Sequence, residues 1–320
     1  MAATIKDVAR VSGVHVSTVS RAFSAPHLVN PATRSRVLAA ADDLGYRPNR
    51  AARALTTGRT FNLGLIVADI SNPFFPPLIK AAQAQARGRD HHVFVADTDE
   101  DPRVEEELIR TLAKQVDGVL LCSPRLSNKV IERLAEDVPF VVVNRRIGGM
   151  PSVLMNVAQG AGLALDHLAG LGHRRIALVC GPAGSWTSNE MQAVATRSQG
   201  LDLISIGPNP PTEGGGLAVA AEVAACGATA VLAYNDLLAL GLIEGLAAMG
   251  IEVPEQISVI GFDDILPGRL NRPKLTTVAM PAAAAGRMAV DLLLQSGGEG
   301  TTVTLDTALI VRESTGRART

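Results

Sequence analysis

From Phe61 onward, short apolar runs alternate with alanine-rich stretches of helical character, and this alternation limits the possible folds more than any other feature. Buried strands of a parallel sheet read as continuous apolar runs, with helices between them. The pattern predicts helices near Leu78–Arg87, Pro102–Lys114 and Lys129–Glu136 and strands at Leu63–Ala68, His92–Ala96, Gly118–Cys122, Phe140–Asn144, Arg175–Cys180, Leu203–Ile206, Ala230–Ala233 and Ile257–Phe262. Two such series predict two doubly wound α/β lobes.

The segment before this alternation, residues 1–59, has a net positive charge. Residues 1–59 hold nine Lys/Arg and three acids, a net charge of +6, which leaves −7 on the remainder. A compact basic segment on an acidic body indicates a polyanionic partner for that segment alone. A solvated basic surface is the alternative that composition alone would favour.

Helix start and stop signals in this basic head indicate three short helices. Thr4 can cap the first helix, and Gly13 interrupts it. A second helix is predicted near Ser17–Phe23, and Asn30-Pro31 supplies a cap and a first-turn proline for the third. Two helices joined by a tight glycine-containing turn, with a third closing the core, are typical of an all-α helix-turn-helix domain.

The second helix offers the candidate DNA contacts. The N-terminal half of a recognition helix meets base edges in the major groove. Arg21 can bond guanine O6 and N7 together, and Val16 can contact a thymine methyl. Polar side chains on this helix can bind DNA phosphates, and such contacts fix the position of the protein along the duplex without reading its sequence. The DNA-contacting residues predicted on it are Val16, Ser17, Thr18, Ser20 and Arg21. Taken singly, Arg21 would be a solvated arginine and Val16 a core residue.

Polar and aromatic residues collect where the predicted strands end. Ligands of open α/β sheets bind outside the carboxyl ends of the strands. Five of the ten aromatic residues lie at those ends: Phe74, Phe75, Trp186, Tyr234 and Phe262. Core packing by chance would spread them along strand interiors, so the pattern predicts a cleft with stacking surfaces and polar anchors. Asp263 is the strongest single candidate, because a carboxylate at a strand end accepts hydrogen bonds from hydroxyls or amines.

Several classes of protein lack support in this sequence. There is no P-loop, no GxGxxG after the first strand, no GxSxG around Ser185 and no metal-ligand spacing. We therefore expect no cofactor, no metal and no catalysis. The first residues do not resemble a secretory signal, and no uncharged apolar run approaches the roughly 18 residues of a membrane span. Together with three scattered cysteines, Cys122, Cys180 and Cys226, this predicts a cytoplasmic protein without a membrane partner.

The head motifs resemble the lactose-repressor and galactose-repressor family of transcriptional regulators. The resemblance rests on Thr4-Ile5-Lys6-Asp7-Val8-Ala9, Gly13-Val14, Ser17-Thr18-Val19-Ser20-Arg21 and Leu44-Gly45-Tyr46-Arg47-Pro48-Asn49, and it continues to about Thr315. It implies a two-lobed, periplasmic-binding-protein-like body and a homodimer on a pseudo-palindromic operator. It also implies a regulator, most often a repressor, controlled by a small effector such as a sugar or nucleoside. A solute receptor for a transporter, or an enzyme of sugar or nucleotide metabolism, is the alternative.

The segment after the helix-turn-helix has two interpretations. A helix this short is marginal alone in water, so a flexible linker is one of them. The resemblance implies the other, a hinge helix that orders when two copies pair over the minor groove, with Leu55 as an apolar wedge between base steps. The residues assigned to this contact are Asn49, Arg50, Ala52, Arg53 and Leu55.

The resemblance also implies which cleft residues contact the effector. The predicted set is Asn72, Phe74, Phe75, Asn144, Arg145, Trp186, Met191, Tyr234, Asn235, Phe262 and Asp263. Asn72 is alternatively a turn cap. Met191 stands where the family usually has an arginine, and a thioether cannot replace that five-donor fork. Arg145, Arg146 or Arg197 can substitute for it, or the effector is less polar than a hexose.

The expected domains follow from these patterns and the resemblance. Residues 1–46 form the helix-turn-helix and residues 47–59 the hinge. The first lobe takes residues 60–160 with about 281–300, and the second takes residues 161–280 with about 301–316. Effector identity, operator sequence, the sign of control and the choice between dimer and tetramer stay open.

Overall fold

The structure is a computed structural model that describes residues 3–47, 58–295 and 300–319. The chain divides into two compact units, Met1–Thr60 and Phe61–Thr320. In the described ranges, none of the helices combines the length and the apolar character needed to cross a lipid bilayer.

The first unit is a bundle of three α-helices, and its local sequence sets their ends. Thr4 and Asp7 form a capping box at the start of the first helix. Gly13 ends that helix with a φ of 64°, a left-handed conformation that glycine adopts without steric cost. Asn30 caps the third helix, and Pro31 is its first residue. The helices are α1 (Ile5–Ser12), α2 (Val16–Ser24) and α3 (Pro31–Asp43), with a short 3-10 turn at Pro26–Leu28.

The three helices share one small apolar core. Its centre is formed by Val8, Val19 and Val37, each fully buried, with one valine from each helix. Arg36 of α3 donates from Nε to the carbonyl of Ser12 at 2.9 Å, which ties α3 to the last residue of α1. The predicted helix-turn-helix is therefore present.

The second unit contains two six-stranded sheets. The order of the first sheet is β11-β5-β4-β3-β1-β2 and all its pairings are parallel. The order of the second is β12-β10-β9-β8-β6-β7, with only β12 antiparallel. The strands are β1 (Asn62–Val67), β2 (His92–Asp97), β3 (Val119–Cys122), β4 (Phe140–Val143), β5 (Ser152–Met155), β6 (Arg175–Val179), β7 (Asp202–Ile206), β8 (Ala230–Ala233), β9 (Ser258–Asp263), β10 (Thr276–Ala279), β11 (Thr302–Leu305) and β12 (Ala308–Ile310).

Helices cover the faces of both sheets, as a doubly wound fold requires. They are α4 (Phe75–Arg87), α5 (Pro102–Leu112), α6 (Asn128–Leu134), α7 (Val157–Gly170), α8 (Trp186–Arg197), α9 (Glu213–Ala225), α10 (Asp236–Ala248), α11 (Leu266–Leu270) and α12 (Ala282–Leu294). The eight predicted strands correspond to β1–β4 and β6–β9, so the predicted fold class is confirmed.

Four strands were not expected from the apolar pattern: β5, β10, β11 and β12. β10 and β11 contain threonines and β12 has only three residues, so these three do not stand out as apolar runs. β5 is as long as the predicted β3 and β4, and its three apolar residues were missed. One expectation is corrected here. Residues from about 301 onward were assigned to the second lobe, but β11 pairs in parallel with β5 of the first sheet. Only from β12 does the chain rejoin the second sheet.

A buried histidine holds the last described segment against the second sheet. His173 is 2% exposed, and its ring contacts Thr229 Oγ1 at 2.8 Å, Ser258 Oγ at 3.1 Å and the carbonyl oxygen of Gly316 at 3.0 Å. Burial lowers the pKa of His173 below its ordinary value of 6.5. The folded state therefore binds fewer protons at this site than the unfolded chain does.

We expect His173 to make the protein less stable in mild acid. Because its pKa is lower in the folded state, its contribution is present above pH 6.5 and is lost as pH falls toward the folded value. The free energy of unfolding of the wild type minus that of His173→Gln should decrease between pH 7.5 and pH 5, as measured by denaturant titration. His92 is exposed, so His92→Gln serves as the control. A difference that stays constant over this range would contradict the assignment.

Candidate nucleic-acid interface and interlobe cavity

Helix α2 presents a polar surface on the side away from the head core. Ser17, Ser20 and Arg21 are exposed, whereas Val16 and Thr18 are half-buried. His15 caps the helix, because its Nδ1 accepts from the backbone N–H of Ser17 at 3.3 Å. The N-terminus of α2 therefore offers orphan backbone donors, and its exposed face adds hydroxyls and, in the last turn, the guanidinium of Arg21. This combination suits an anionic groove.

The described part of the first unit keeps the charge bias of the sequence, with seven Lys/Arg against three acids. Arg10 on α1 and Arg34 on α3 are exposed like Arg21. The residues assigned to the hinge contact, Asn49, Arg50, Ala52, Arg53 and Leu55, lie outside the described residues.

A small cavity lies at the carboxyl ends of strands from both sheets of the second unit. Its volume is about 30 Å³, which is room for one or two water molecules. Every strand from β1 to β4 and from β6 to β10 runs into a loop or helix that contributes to its wall. The lining residues are Asn72, Phe74, Phe75, Glu100, Ser123, Arg125, Asn144, Thr187, Pro211, Tyr234, Asn235, Asp263 and Met280.

Backbone strain is concentrated around this cavity. Four lining residues have a positive φ: Glu100 at 60°, Ser123 at 50°, Asn144 at 60° and Asp263 at 122°. Each lies at or just after the carboxyl end of a strand. Such conformations cost about 1–3 kcal/mol each in non-glycine residues, and they persist where the surrounding structure over-determines them. The fold therefore maintains four unfavourable backbone conformations in order to place these side chains.

Arg125 supplies a guanidinium that the sequence analysis did not identify. Its side chain is 7% exposed, and it makes a bidentate ion pair with Glu100, from Nε to Oε2 and from Nη2 to Oε1, the second at 2.9 Å. Nη1 donates to the carbonyl of Ser123 at 2.8 Å. Burial disfavours its charge, but nearby Tyr234 and Glu100 outweigh this and raise the pKa of Arg125.

Two further groups fix the loop that carries Arg125. The buried carboxylate of Glu105 accepts from the backbone N–H of Arg125 at 2.7 Å. Burial raises the pKa of Glu105. Arg145 donates to the carbonyls of Pro124 at 3.1 Å and Leu126 at 2.8 Å. Arg145 therefore braces the loop instead of lining the cavity.

Asn144 and Asp263 offer acceptors to the cavity. The Nδ2 of Asn144 donates to Thr187 Oγ1 at 2.9 Å, which joins the two lobes, while its Oδ1 is buried without a partner among the described residues. Burial, together with Asp236, raises the pKa of Asp263 well above its usual range. Asp264, by contrast, is bound by Arg269 and Arg312. Asp263 thus faces the cavity, and Asp264 serves the structure.

Several predicted cavity residues also have structural partners. Asn72 Oδ1 accepts from the backbone N–H of Phe74 at 3.0 Å, which is the turn that the sequence left open. Asn235 caps α10 and donates to the carbonyl of Pro211 at 2.9 Å. Phe74 and Phe75 pack edge to face with their ring centroids 5.0 Å apart, and Tyr234 accepts from Ser185 Oγ at 3.1 Å.

Four residues of the predicted effector set do not line the cavity: Arg145, Trp186, Met191 and Phe262. Phe262 and Met191 are 0% and 1% exposed in the apolar core beneath the cavity. Trp186 is the first residue of α8 and packs against that core beside Thr187. Alternation along a strand turns every second side chain away from a given face, which explains why Phe262 is core and Asp263 is not.

Six lining residues were absent from the predicted set: Glu100, Ser123, Arg125, Thr187, Pro211 and Met280. Glu100 follows the carboxyl end of β2, and Ser123 and Arg125 follow that of β3, so the rule that places ligands at strand ends also covers these three residues. Met280 follows β10, which was not predicted.

Two family descriptions match the chain. "Bacterial regulatory proteins, lacI family" matches residues 4–49, and "Periplasmic binding protein-like domain" matches residues 165–315. The transcriptional regulator GalS of Salmonella typhimurium is 35% identical over 93% of this chain and 91% of its own length. GalR of Escherichia coli is 34% identical over 91% of this chain and 88% of its own length. The repressor PurR of Haemophilus influenzae is 30% identical over 92% of this chain and 90% of its own length.

Solved structures agree with these sequence relatives. A lac repressor dimer bound to operator and the anti-inducer ONPF superimposes with a TM-score of 0.87 at 26% identity, covering 99% of this chain and all of that one. A complex of the transcriptional regulator CelR with cellobiose gives a TM-score of 0.72 at 29% identity and covers 98% of this chain and 99% of that one.

Proposed function

This chain belongs to the lacI family of bacterial regulatory proteins, DNA-binding transcriptional regulators and not enzymes, and we propose that a small effector in the interlobe cavity controls its affinity for an operator. The concentration of strained cavity residues carries the assignment of the effector site. Positive φ values at Glu100, Ser123, Asn144 and Asp263 cost free energy, and such strain clusters at ligand-binding sites. The unpartnered Oδ1 of Asn144 supports it, since a buried acceptor needs a donor.

The head reads the operator through α2. Two copies of the chain place this helix in successive major grooves of a pseudo-palindromic site, with Arg21 on a guanine and Ser17, Thr18 and Ser20 on phosphates. Val16 contacts a thymine methyl. Residues 47–59 form the hinge, in which Leu55 enters the minor groove. The protein acts in the cytoplasm, and repression is the sign of control in relatives such as PurR.

Lobe movement couples the effector to the operator. The cavity of about 30 Å³ is smaller than a sugar, so the lobes open to admit a ligand of that size. The hydrogen bond from Asn144 to Thr187, which joins the two lobes, changes when the lobes open. To move the protein from mostly operator-bound to mostly free, the effector must prefer one state by about 10⁴-fold, or about 5.5 kcal/mol. The relative solved with cellobiose makes small sugars the first compounds to test.

Asp263→Asn tests the effector site. The substitution replaces an acceptor oxygen by an amide donor, and a donor of the effector left without its partner costs about 1–3 kcal/mol, so we expect effector affinity to fall about 5- to 150-fold while operator affinity stays near that of the wild type. The effector is first found by thermal shift, because a ligand of the folded state raises the melting temperature. Fluorescence anisotropy of labelled operator then gives the effector concentration at half-release.

Asp166→Asn is the matched control, since Asp166 is exposed on α7 away from the cavity lining. It should respond to the effector as the wild type does. An unchanged half-release concentration in Asp263→Asn would refute the effector site. No change in operator affinity with any ligand that raises the melting temperature would refute the function.

A further inference from the structure

The guanidinium of Arg125 is largely occupied by groups of its own lobe. Its Nε and Nη2 face both carboxylate oxygens of Glu100, and its Nη1 faces the carbonyl of Ser123. A planar guanidinium binds a carboxylate or phosphate best through two parallel N–H bonds. Glu100 already fills that edge and the carbonyl of Ser123 takes one N–H of Nη1, so three of the five guanidinium N–H groups are occupied and the charge of Arg125 is paired.

Among the described residues that line the cavity, Arg125 alone is basic. Asp263 on the wall and Asp236 behind it are both acids, so neither of them can carry a positive charge. Glu105, behind Arg125, is a third acid on the first lobe. An anion entering the cavity thus meets an arginine whose charge Glu100 already balances, and the described lining residues supply no other positive charge. Hydroxyl or amine donors meet Asp263 and the free Oδ1 of Asn144.

We propose that Glu100 is a specificity-determining residue that neutralises Arg125 and so excludes anionic ligands, leaving the cavity selective for neutral or cationic compounds rich in hydroxyl or amine donors. This inference rests on the proposed function, because it concerns the same cavity. The strained φ of 60° at Glu100 is consistent with a side chain that the fold holds in place for one partner. Phosphorylated and carboxylated metabolites are the excluded class.

Inorganic phosphate tests the proposal without knowledge of the effector. Glu100→Gln keeps the side-chain size but removes the charge, so the full-length variant should bind phosphate at least tenfold more tightly than the wild type. The single tryptophan, Trp186, lies next to Thr187 of the cavity wall, so a change in its fluorescence reports binding there and not at the basic head. Calorimetry gives the dissociation constant for comparison.

Two further variants complete the test. Glu100→Gln combined with Arg125→Met should lose the gain, and since it removes both partners of a buried ion pair it avoids leaving an unpaired charge. Glu106→Gln, which releases Arg110 of α5 and Arg133 of α6 on the protein surface, should show no fluorescence response. Thermal melts confirm that each variant is folded.

The outcomes are decisive in both directions. If Glu100→Gln gains no phosphate affinity, or if the gain persists without Arg125, the proposal is wrong. These titrations contain no DNA and no effector, so their failure leaves the proposed function standing. Conversely, a confirmed gain together with operator affinity that no cavity ligand alters would refute the function alone.

Discussion

Arg21→Ala is expected to abolish most of the preference of this protein for its operator over random duplex. A bidentate arginine–guanine contact contributes about 1–3 kcal/mol of discrimination. Because a dimer carries two such helices, the loss should be about 2–6 kcal/mol, or roughly 30-fold to 10⁴-fold. Arg21 is exposed on α2, so its removal leaves the head core of Val8, Val19 and Val37 intact.

The measurement compares anisotropy titrations on an operator, selected by the wild type from a random duplex pool, with titrations on scrambled sequence. Arg21→Lys separates charge from geometry, since lysine keeps the charge but lacks the planar fork. It should retain the salt dependence of binding, which reports phosphate neutralisation, and still lose most of the preference. Equal discrimination by the wild type and Arg21→Ala would show that α2 does not read sequence through this residue.

Gly241→Ala is expected to destabilise the second lobe by about 3 kcal/mol, the upper end for overpacked sites. A Cβ at Gly241 would lie 1.9 Å from the carbonyl oxygen of Glu213, and one at Gly216 would lie 2.2 Å from that of Leu238. Helices α9 and α10 thus meet backbone to backbone, and neither contact is with the end of a flexible side chain. Separating them also moves Asn235, which caps α10 at the cavity wall.

Gly162→Ala is the control for this substitution. Gly162 lies inside α7, and a Cβ there meets nothing within 4 Å. Alanine should stabilise that helix by about 0.5–1 kcal/mol, because it loses less backbone entropy than glycine. Urea unfolding followed by circular dichroism should therefore shift to lower denaturant for Gly241→Ala and to slightly higher denaturant for Gly162→Ala. Similar midpoints for the two variants would show that the helices can separate at little cost.

The cavity illustrates why site prediction from sequence was incomplete. Seven predicted residues line it, among them Asn144 and Asp263, because a strand end is visible as the last residue of an apolar run. Phe262 was also predicted to line the cavity, but the sequence does not say to which face of the sheet the side chain of a residue at a strand end points. Arg125 lies two residues beyond Ser123, in a loop whose course depends on Glu105 and Arg145.

The replacement of the usual arginine by Met191 was visible in the sequence, but its consequence was not. Arg145, Arg146 and Arg197 were the expected substitutes. In the structure Arg145 braces a loop, Arg146 is exposed, and Arg197 bonds to the carbonyl of Ala193 on its own helix. The guanidinium of the cavity comes instead from Arg125, on the opposite lobe from Met191.

By itself the sequence determined the helix ends of the head, the eight strands β1–β4 and β6–β9 and the family, because caps, apolar periodicity and contiguous motifs are local properties of the chain. Thr4, Gly13 and Asn30 act within a few residues of their own position. Tertiary structure alone decided the pairing of β11 with β5, the ion pair of Glu100 with Arg125 and the contact of Asn144 with Thr187. These contacts join residues 25 to 150 positions apart, so they depend on how the lobes fold.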